Sequence, residues 1–582
     1  MKKKLLVMSA VMLGSLVLSA CSFDSIFNII IGGDSSDSIS ETSSGGEGSE
    51  STSEGGSSSS SSSESGGGSS SSSNSSSEST SEGGSSSSSS GEETLNKTKI
   101  KETYNEYIDH NAYPLSSCPT TGKAKVLIIP IWFTNSKNYI TDSTKKANVR
   151  ADIEKTYLGS TSETGWHSVK TYYKEESSNK LNLSGTVADW YECGQSATYY
   201  TNSSSTSELV VEATDNYFTN NTSDSRKNYD SDGDGWLDAV ILIYAAPDYS
   251  ANAGSNDNLW AYCFWVQNWD AQNKSNPGAN VFFWASYDFM YDSSTATARA
   301  GTSYSNGDCS HTTVDAHTFI HEFGHVMGLE DYYDYGSNKY TPAGAFSMQD
   351  YNVGGHDPYS VMAYGWADPY IPTKSMTLTI GAFQHTRELI LLTPSWNSHD
   401  SAFDEYMLLE LYTPTGLNEL DSKYVYDGGY PQGPSTVGIR LWHVDSRLGY
   451  YEYKSGDWYL CSSSQIANTV TKENVTHAMS NTYPTADEDY LSPFYSENSK
   501  FGDYNLLQLI RKNTSVTYKP TTELSSSDLF TQGSSFSMNT YKNQFRNSGK
   551  LNSNSNLGWT FTVKSITGSG ASAQATIELV KQ

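Results

Sequence analysis

Residues 317–334 read HTFIHEFGHVMGLEDYYD, and this stretch limits the fold more than any other. On a helix, positions i and i+4 share one face. His321 and His325 therefore aim two imidazole nitrogens at one point. Zinc accepts such nitrogens at about 2.0–2.1 Å. Glu322 lies one residue round the helix, so its carboxylate falls beside the metal as a general base for an attacking water. A catalytic zinc also needs a third protein ligand and one open position. Gly328 takes φ > 0 without a Cβ clash and ends the helix in a sharp turn, which brings Asp331 within reach of the same ion. Glu330 and Asp334 stand near enough in the chain to take that place instead. Phe319, Ile320, Phe323, Val326, Met327 and Leu329 require this helix to be buried. His317, one turn earlier on the same face, is expected to be packed or hydrogen-bonded and not a ligand.

The pattern is HExxHxxGxxD, with Asp where many metzincins carry a third His. It resembles the immune inhibitor A family, bacterial secreted zinc metallopeptidases of the metzincin type. The segments 125–133, 168–177, 181–190 and 230–244 are similar to parts of that family, as are Glu405–Glu410 and Gly438–Asp445 downstream. The resemblance covers roughly residues 120–450. It implies a metzincin-like α/β fold, a zinc cofactor and hydrolysis of peptide bonds. It further implies a Met-turn at Met348, forming an apolar floor under the metal, with Met362 as the rival methionine. Tyr351 resembles the tyrosine that some metzincins place near zinc to support the oxyanion; a packed tyrosine is the other reading. His356 is expected to be structural. The chain departs from the family in that no long N-terminal propeptide is expected.

The N-terminus is not globular in composition. Lys2 to Lys4 and the apolar run Leu5 to Leu18 form a secretory signal, too short for a stable membrane span. Leu18-Ser19-Ala20-Cys21 resembles a bacterial lipobox, which implies cleavage before Cys21 and lipidation of its thiol. Residues 1–20 are thus read as a lipoprotein signal peptide and 21–93 as a disordered tether of Ser, Gly and Glu. Such a segment buries too little apolar surface to offset its ordering entropy. Residues 22–93 hold no Lys or Arg, so much of the net charge of −28 belongs to the tether, and nucleic acid is excluded as a partner. Protein or peptide substrates, a membrane reached through Cys21 and a monomeric state are expected instead. Six cysteines are present: Cys21, Cys118, Cys193, Cys263, Cys309 and Cys461. With Cys21 lipidated, an odd number remains, and their pairing is not legible. Cys118 is read as structural rather than as a thiol that latches the zinc.

Residues 94–113 suggest a short helix, with Ile100, Tyr104 and Ile108 at helical spacing. Lys125–Phe133 is a continuous apolar run of the kind found in buried strands. Helices follow near 144–158, 167–177 and 206–219, and strands near 181–190, 239–246 and 280–290. This alternation gives an α/β catalytic domain over 94–373. Short alternating strands from 374 to 582 give a β-rich region packed on it or appended to it. Within the catalytic part, Asp230, Asp232 and Asp234 take positions 1, 3 and 5 of a calcium loop. Gly235 supplies the turn, Trp236 a carbonyl and Asp238 position 9. Position 12 is Ile241 and a strand follows, so this is no EF-hand; structural calcium is expected, against a solvated Asp-Gly turn. The leading reading is a lipid-anchored extracellular zinc endopeptidase. A surface adhesin or glycan-binding lipoprotein on a protease fold is the competitor, and it has no need of Glu322. A hydrolase of non-peptide substrates is a third class.

Overall fold

A computed structural model of the chain describes residues 95–110, 118–248, 258–266, 272–291, 314–335, 340–426, 430–454, 457–460, 466–470, 475–482 and 504–582. The expected signal peptide and tether, with Cys21, Cys309 and Cys461, lie outside these residues. Among the described residues no helix is long and apolar enough to cross a membrane.

The folded chain enters through α1 (Tyr104–His110). Tyr104 is buried against the rings of Tyr107, Tyr364, Phe403 and His477. β1 (Gly122–Trp132) follows. Val126 and Ile128 face one core, whereas Leu127, Ile129 and Ile131 face another. A strand covered on both faces reads as an unbroken apolar run, which is why 125–133 shows no alternation. β2 (Leu181–Val187), β3 (Tyr191–Glu192), β4 (Val240–Tyr244), β5 (Tyr262–Trp265) and β6 (Val281–Ser286) complete the sheet. Its order is β2-β1-β4-β6-β5, with β3 also on β1. Every pairing is parallel except that of β5 on β6. α2 (Ser143–Leu158) and α3 (Val169–Glu176) cover one face, and α4 (Ser203–Asn220) covers the other.

Two expected strands are shorter than their apolar runs. The run 181–190 is split after Val187, where Arg150 of α2 donates to the carbonyls of Val187 and Ala188 at 2.6 and 3.0 Å. The run 280–290 stops at Ser286, whose hydroxyl accepts from the Asp288 backbone N–H and opens a 3₁₀ turn over Tyr287–Met290. The antiparallel edge strand β5 was not expected, since four aromatic-rich residues carry too short a pattern to identify a strand.

Among the described residues past 374, three further sheets of four, three and four strands follow. One of them joins Leu389–Leu392, Glu405–Tyr412, Gly438–Asp445 and Leu507–Ile510. A single core passes across residue 373. It holds Phe319, Ile320 and Phe323 together with Tyr406, Leu408, Trp442 and Val444. Buried side chains of this size contribute roughly 1.5–3 kcal/mol each. Arg440 ties the two parts with buried bonds, to Glu410 Oε1 at 2.7 Å and to the Phe346 carbonyl at 3.2 Å.

Candidate metal centre and active site

α5 (His317–Val326) is buried along its whole length. At its C-terminus Gly328 adopts φ +99°. The Gly328 N–H donates to the His325 carbonyl at 2.9 Å, and the Leu329 N–H donates to the Gly324 carbonyl at 3.1 Å. These are the two bonds of a Schellman ending, which needs a left-handed residue at Gly328. The reversal carries Asp331 back under the helix. Its Oδ1 lies 2.9 Å from His321 Nε2 and 3.2 Å from His325 Nε2. The two Nε2 atoms are 3.2 Å apart.

Each imidazole is oriented through its other nitrogen. His321 Nδ1–H donates to the Met348 carbonyl at 2.7 Å and His325 Nδ1–H to the Leu329 carbonyl at 2.8 Å. That arrangement leaves both Nε2 atoms facing Asp331, and metal-binding histidines are commonly fixed in this way. Burial pulls the His325 imidazole down, but the adjacent Asp331 carboxylate more than reverses this and holds it at about 9. Burial opposes ionisation of Asp331, yet His325 and then His321 hold its carboxyl well below the usual range. Two imidazole nitrogens and one carboxylate oxygen, all within 4.8 Å of one another, form a donor set suited to zinc. Asp331 Oδ1 is buried facing both imidazole nitrogens.

The other expected residues fall as follows. Glu322 is fully buried, and its charge adds to burial in raising the Tyr157 hydroxyl and the Cys263 thiol. Met348 begins the short helix α6 (Met348–Tyr351) and is fully buried. Met362 is buried too, in α7 (Pro358–Ala363). Tyr351 is half-buried in a row of rings, with centroids 5.9 Å from Tyr333 and 6.4 Å from Tyr430. Glu330 is engaged elsewhere, 3.1 Å from His477 Nδ1, and Asp334 lies outside the donor cluster. Cys118 is buried in the core, and the cluster does not include it. His356 is buried; desolvation, then His321 and Arg387, push its imidazole down to about 3, so it is neutral. Its backbone N–H donates to Glu176 Oε1 at 2.8 Å.

Five contributors carry no sequence signal. Tyr335 donates its hydroxyl to Asp331 Oδ2. Gln349 packs so closely on the helix that a Cβ at Gly324 would collide with its Oε1. Asp315 and Asp421 bracket His317, at 2.9 Å from Nδ1 and 3.3 Å from Nε2, while Trp166 stacks on its ring at 4.1 Å.

Residues 120–352 match the family described as immune inhibitor A peptidase M6, catalytic domain. That segment belongs to the M6 metallopeptidases. The pre-pro-metalloprotease PrtV of Vibrio cholerae serotype O1, in strain M66-2 and in strain ATCC 39315 / El Tor Inaba N16961, is 29% identical over 215 residues. The alignment takes in 33% of this chain and 21% of each relative, so the chain spans about a fifth of the length of the curated relatives it matches. The M6 match ends at 352, short of the 450 to which the sequence resemblance extended.

Within the M6 segment, the loop after α4 brings Asp230, Asp232 and Asp234 together. Gly233 and Gly235 take φ +77° and +100° there. A side chain at Gly235 would press on the backbone of Asn273 and Lys274 at 3.0–3.1 Å. Burial, and then Asp232, push the Asp234 carboxyl up to about 7. The structure does not bring Asp238 into this cluster. Its carboxylate accepts from the backbone N–H groups of Ser231 at 2.8 Å and Lys125 at 2.6 Å, stitching the loop to β1. The Trp236 N–H donates to Asp234 Oδ1 at 2.6 Å.

The bracketed His317 of the M6 domain makes stability depend on pH. Burial lowers its pKa, but Asp315 and then Asp421 raise it from 6.5 to about 10. A folded pKa above the unfolded one stabilises fully below pH about 6.5, and that stabilisation disappears as pH climbs through about 10. The contribution is at most about 5 kcal/mol. Denaturant melts from pH 6 to 10 should show His317→Gln with a shallower loss of stability than the wild type; parallel slopes would remove His317 as the cause.

Proposed function

We propose that the chain is a zinc-dependent endopeptidase, with His321, His325 and Asp331 holding the ion and Glu322 acting as general base. The reading is carried by the convergence of the two Nε2 atoms and Asp331 Oδ1 within 4.8 Å on a buried helix. When bound, zinc supplies Lewis acidity, polarising the scissile carbonyl and lowering the pKa of water to about 7. Glu322 takes the proton from the attacking water and delivers it to the departing amine. The Met348 and Leu329 carbonyls keep both imidazoles in the tautomer that serves the metal. The Met348 side chain makes an apolar floor beneath the site, and the Tyr351 hydroxyl donates to the developing oxyanion, in a metzincin-like arrangement. Substrates are proteins or peptides outside the cell. Casein cleavage by the full chain should vanish on zinc chelation and return with added zinc; undiminished cleavage by metal-free protein would overturn the reading.

The enzyme acts from the outer face of the bacterial membrane, on a lipid at Cys21. Two acyl chains anchor stably, where one binds only marginally. A tether of about 70 Ser- and Gly-rich residues has an r.m.s. reach of roughly 45 Å. Cys21→Ser should move the protein from the membrane to the soluble fraction or leave its signal uncleaved. Unaltered fractionation together with unaltered mobility would reject the anchor.

Structural calcium sits at Asp230, Asp232 and Asp234. Three crowded carboxylates repel one another, and a cation bound only to the folded state stabilises it by about 2.7 kcal/mol at roughly 100 times Kd. Melting temperature should therefore climb with calcium at constant zinc content, and Asp232→Ala should flatten the climb. Wild-type melting curves that overlay with and without millimolar calcium would restore the solvated turn.

A further inference from the structure

We propose that Tyr335, seated by the segment 475–482, positions Asp331 and thereby sets the affinity of the site for its metal. The inference rests on the metal reading above. Asp331 divides its two oxygens between different tasks. Oδ1 faces both imidazoles at 2.9 and 3.2 Å, and Oδ2 accepts the Tyr335 hydroxyl. A carboxylate without the second contact turns about its Cβ–Cγ bond and presents either oxygen. With the phenol on Oδ2, only Oδ1 is presented, so the ordering entropy is lost on folding and not on metal binding.

Tyr335 is itself held from far along the chain. Its backbone N–H donates to the Thr482 carbonyl at 3.1 Å. Two residues on either side of Asp331 are gripped by the same segment. Glu330 Oε1 is 3.1 Å from His477 Nδ1. The Tyr332 carbonyl accepts from Asn481 Nδ2 at 2.9 Å. Asn481 is 1% exposed, and its amide is used on both sides. Nδ2 also donates to the Leu507 carbonyl at 2.8 Å, and Oδ1 accepts from the Leu507 N–H at 3.1 Å. One buried amide thus joins the ligand-bearing turn to the strand Leu507–Ile510. The segment lies beyond residue 352, outside the matched M6 catalytic segment. The downstream region therefore completes the metal centre.

Hydrogen-bond partners of metal ligands typically contribute about 10–100-fold to metal affinity. Tyr335→Phe keeps the half-buried ring and removes only the hydroxyl. In the metal-stripped full chain, titrated with zinc against a chromogenic chelator, this variant should bind about 10–100-fold more weakly than the wild type. Its near-UV circular dichroism should match the wild type. The visible bands of the cobalt-loaded variant should shift, because the carboxylate changes its mode of ligation. An unchanged zinc dissociation constant with an unchanged cobalt spectrum overturns the proposal. Asn481→Ala supplies the second arm: amide exchange at Tyr332 and Tyr335 should quicken in the metal-free protein and zinc should bind more weakly. Quicker exchange with wild-type affinity overturns the role of the segment. If that variant does not fold, Tyr335→Phe alone decides. A wild type that takes up no zinc at stoichiometric concentration overturns the metal reading itself, an outcome distinct from equal affinity in wild type and variant.

Discussion

Glu322→Gln should lower kcat by about 10²–10⁴-fold while zinc content stays at one per chain. The glutamine keeps the volume of a fully buried side chain, so the loss reports the missing base rather than a cavity. Glu322 follows His321 in the chain and lies outside the donor set of His321, His325 and Asp331. Metal retention and catalysis therefore separate in this variant. Metal analysis beside steady-state peptide hydrolysis is the measurement. Stoichiometric zinc with wild-type turnover would assign the proton transfer to another group.

Asp331→Ala should empty the site. Two imidazoles remain, and an open two-nitrogen site binds zinc weakly compared with three protein ligands. The change also removes the carboxylate that faces both Nε2 atoms through Oδ1 and accepts the Tyr335 hydroxyl on Oδ2. Removing a ligand should cost more than the roughly 10–100-fold that outer hydrogen bonds contribute. After dialysis against a mild chelator, the variant should hold little zinc, and Glu330→Ala and Asp334→Ala should remain loaded. Full occupancy of Asp331→Ala would pass the third ligand to one of those two neighbours.

The helix of the site was legible because its information is local. His321 and His325 are one turn apart, Gly328 marks the end and the apolar residues repeat with the helix. β1 was legible for the same reason. The loop aspartates show the limit of such reasoning. Spacing placed four of them around one ion, but two backbone N–H groups needed an acceptor, and Asp238 serves those instead. Nothing near Tyr332 in the chain announces Asn481, 149 positions away. Contacts of that kind arise from how sheets stack, and a single sequence leaves no periodic trace of them. The role of Tyr335 is four residues from Asp331 and still illegible, because a tyrosine in a tyrosine-rich turn has no distinguishing pattern.

The core that crosses residue 373 has a practical meaning for anyone cutting the gene. A fragment of residues 120–352 retains every donor of the metal cluster. It also discards Tyr359, Trp366, Tyr406, Leu408, Trp442 and Leu507, which lie in the same core as the apolar face of the helix. Such a fragment would display a broad greasy flank to water and would go to inclusion bodies rather than to an assay. The sequence signature and the shared core have different borders: the core runs from Ile100, just past the bridge of Lys97 to Tyr370, to Leu529.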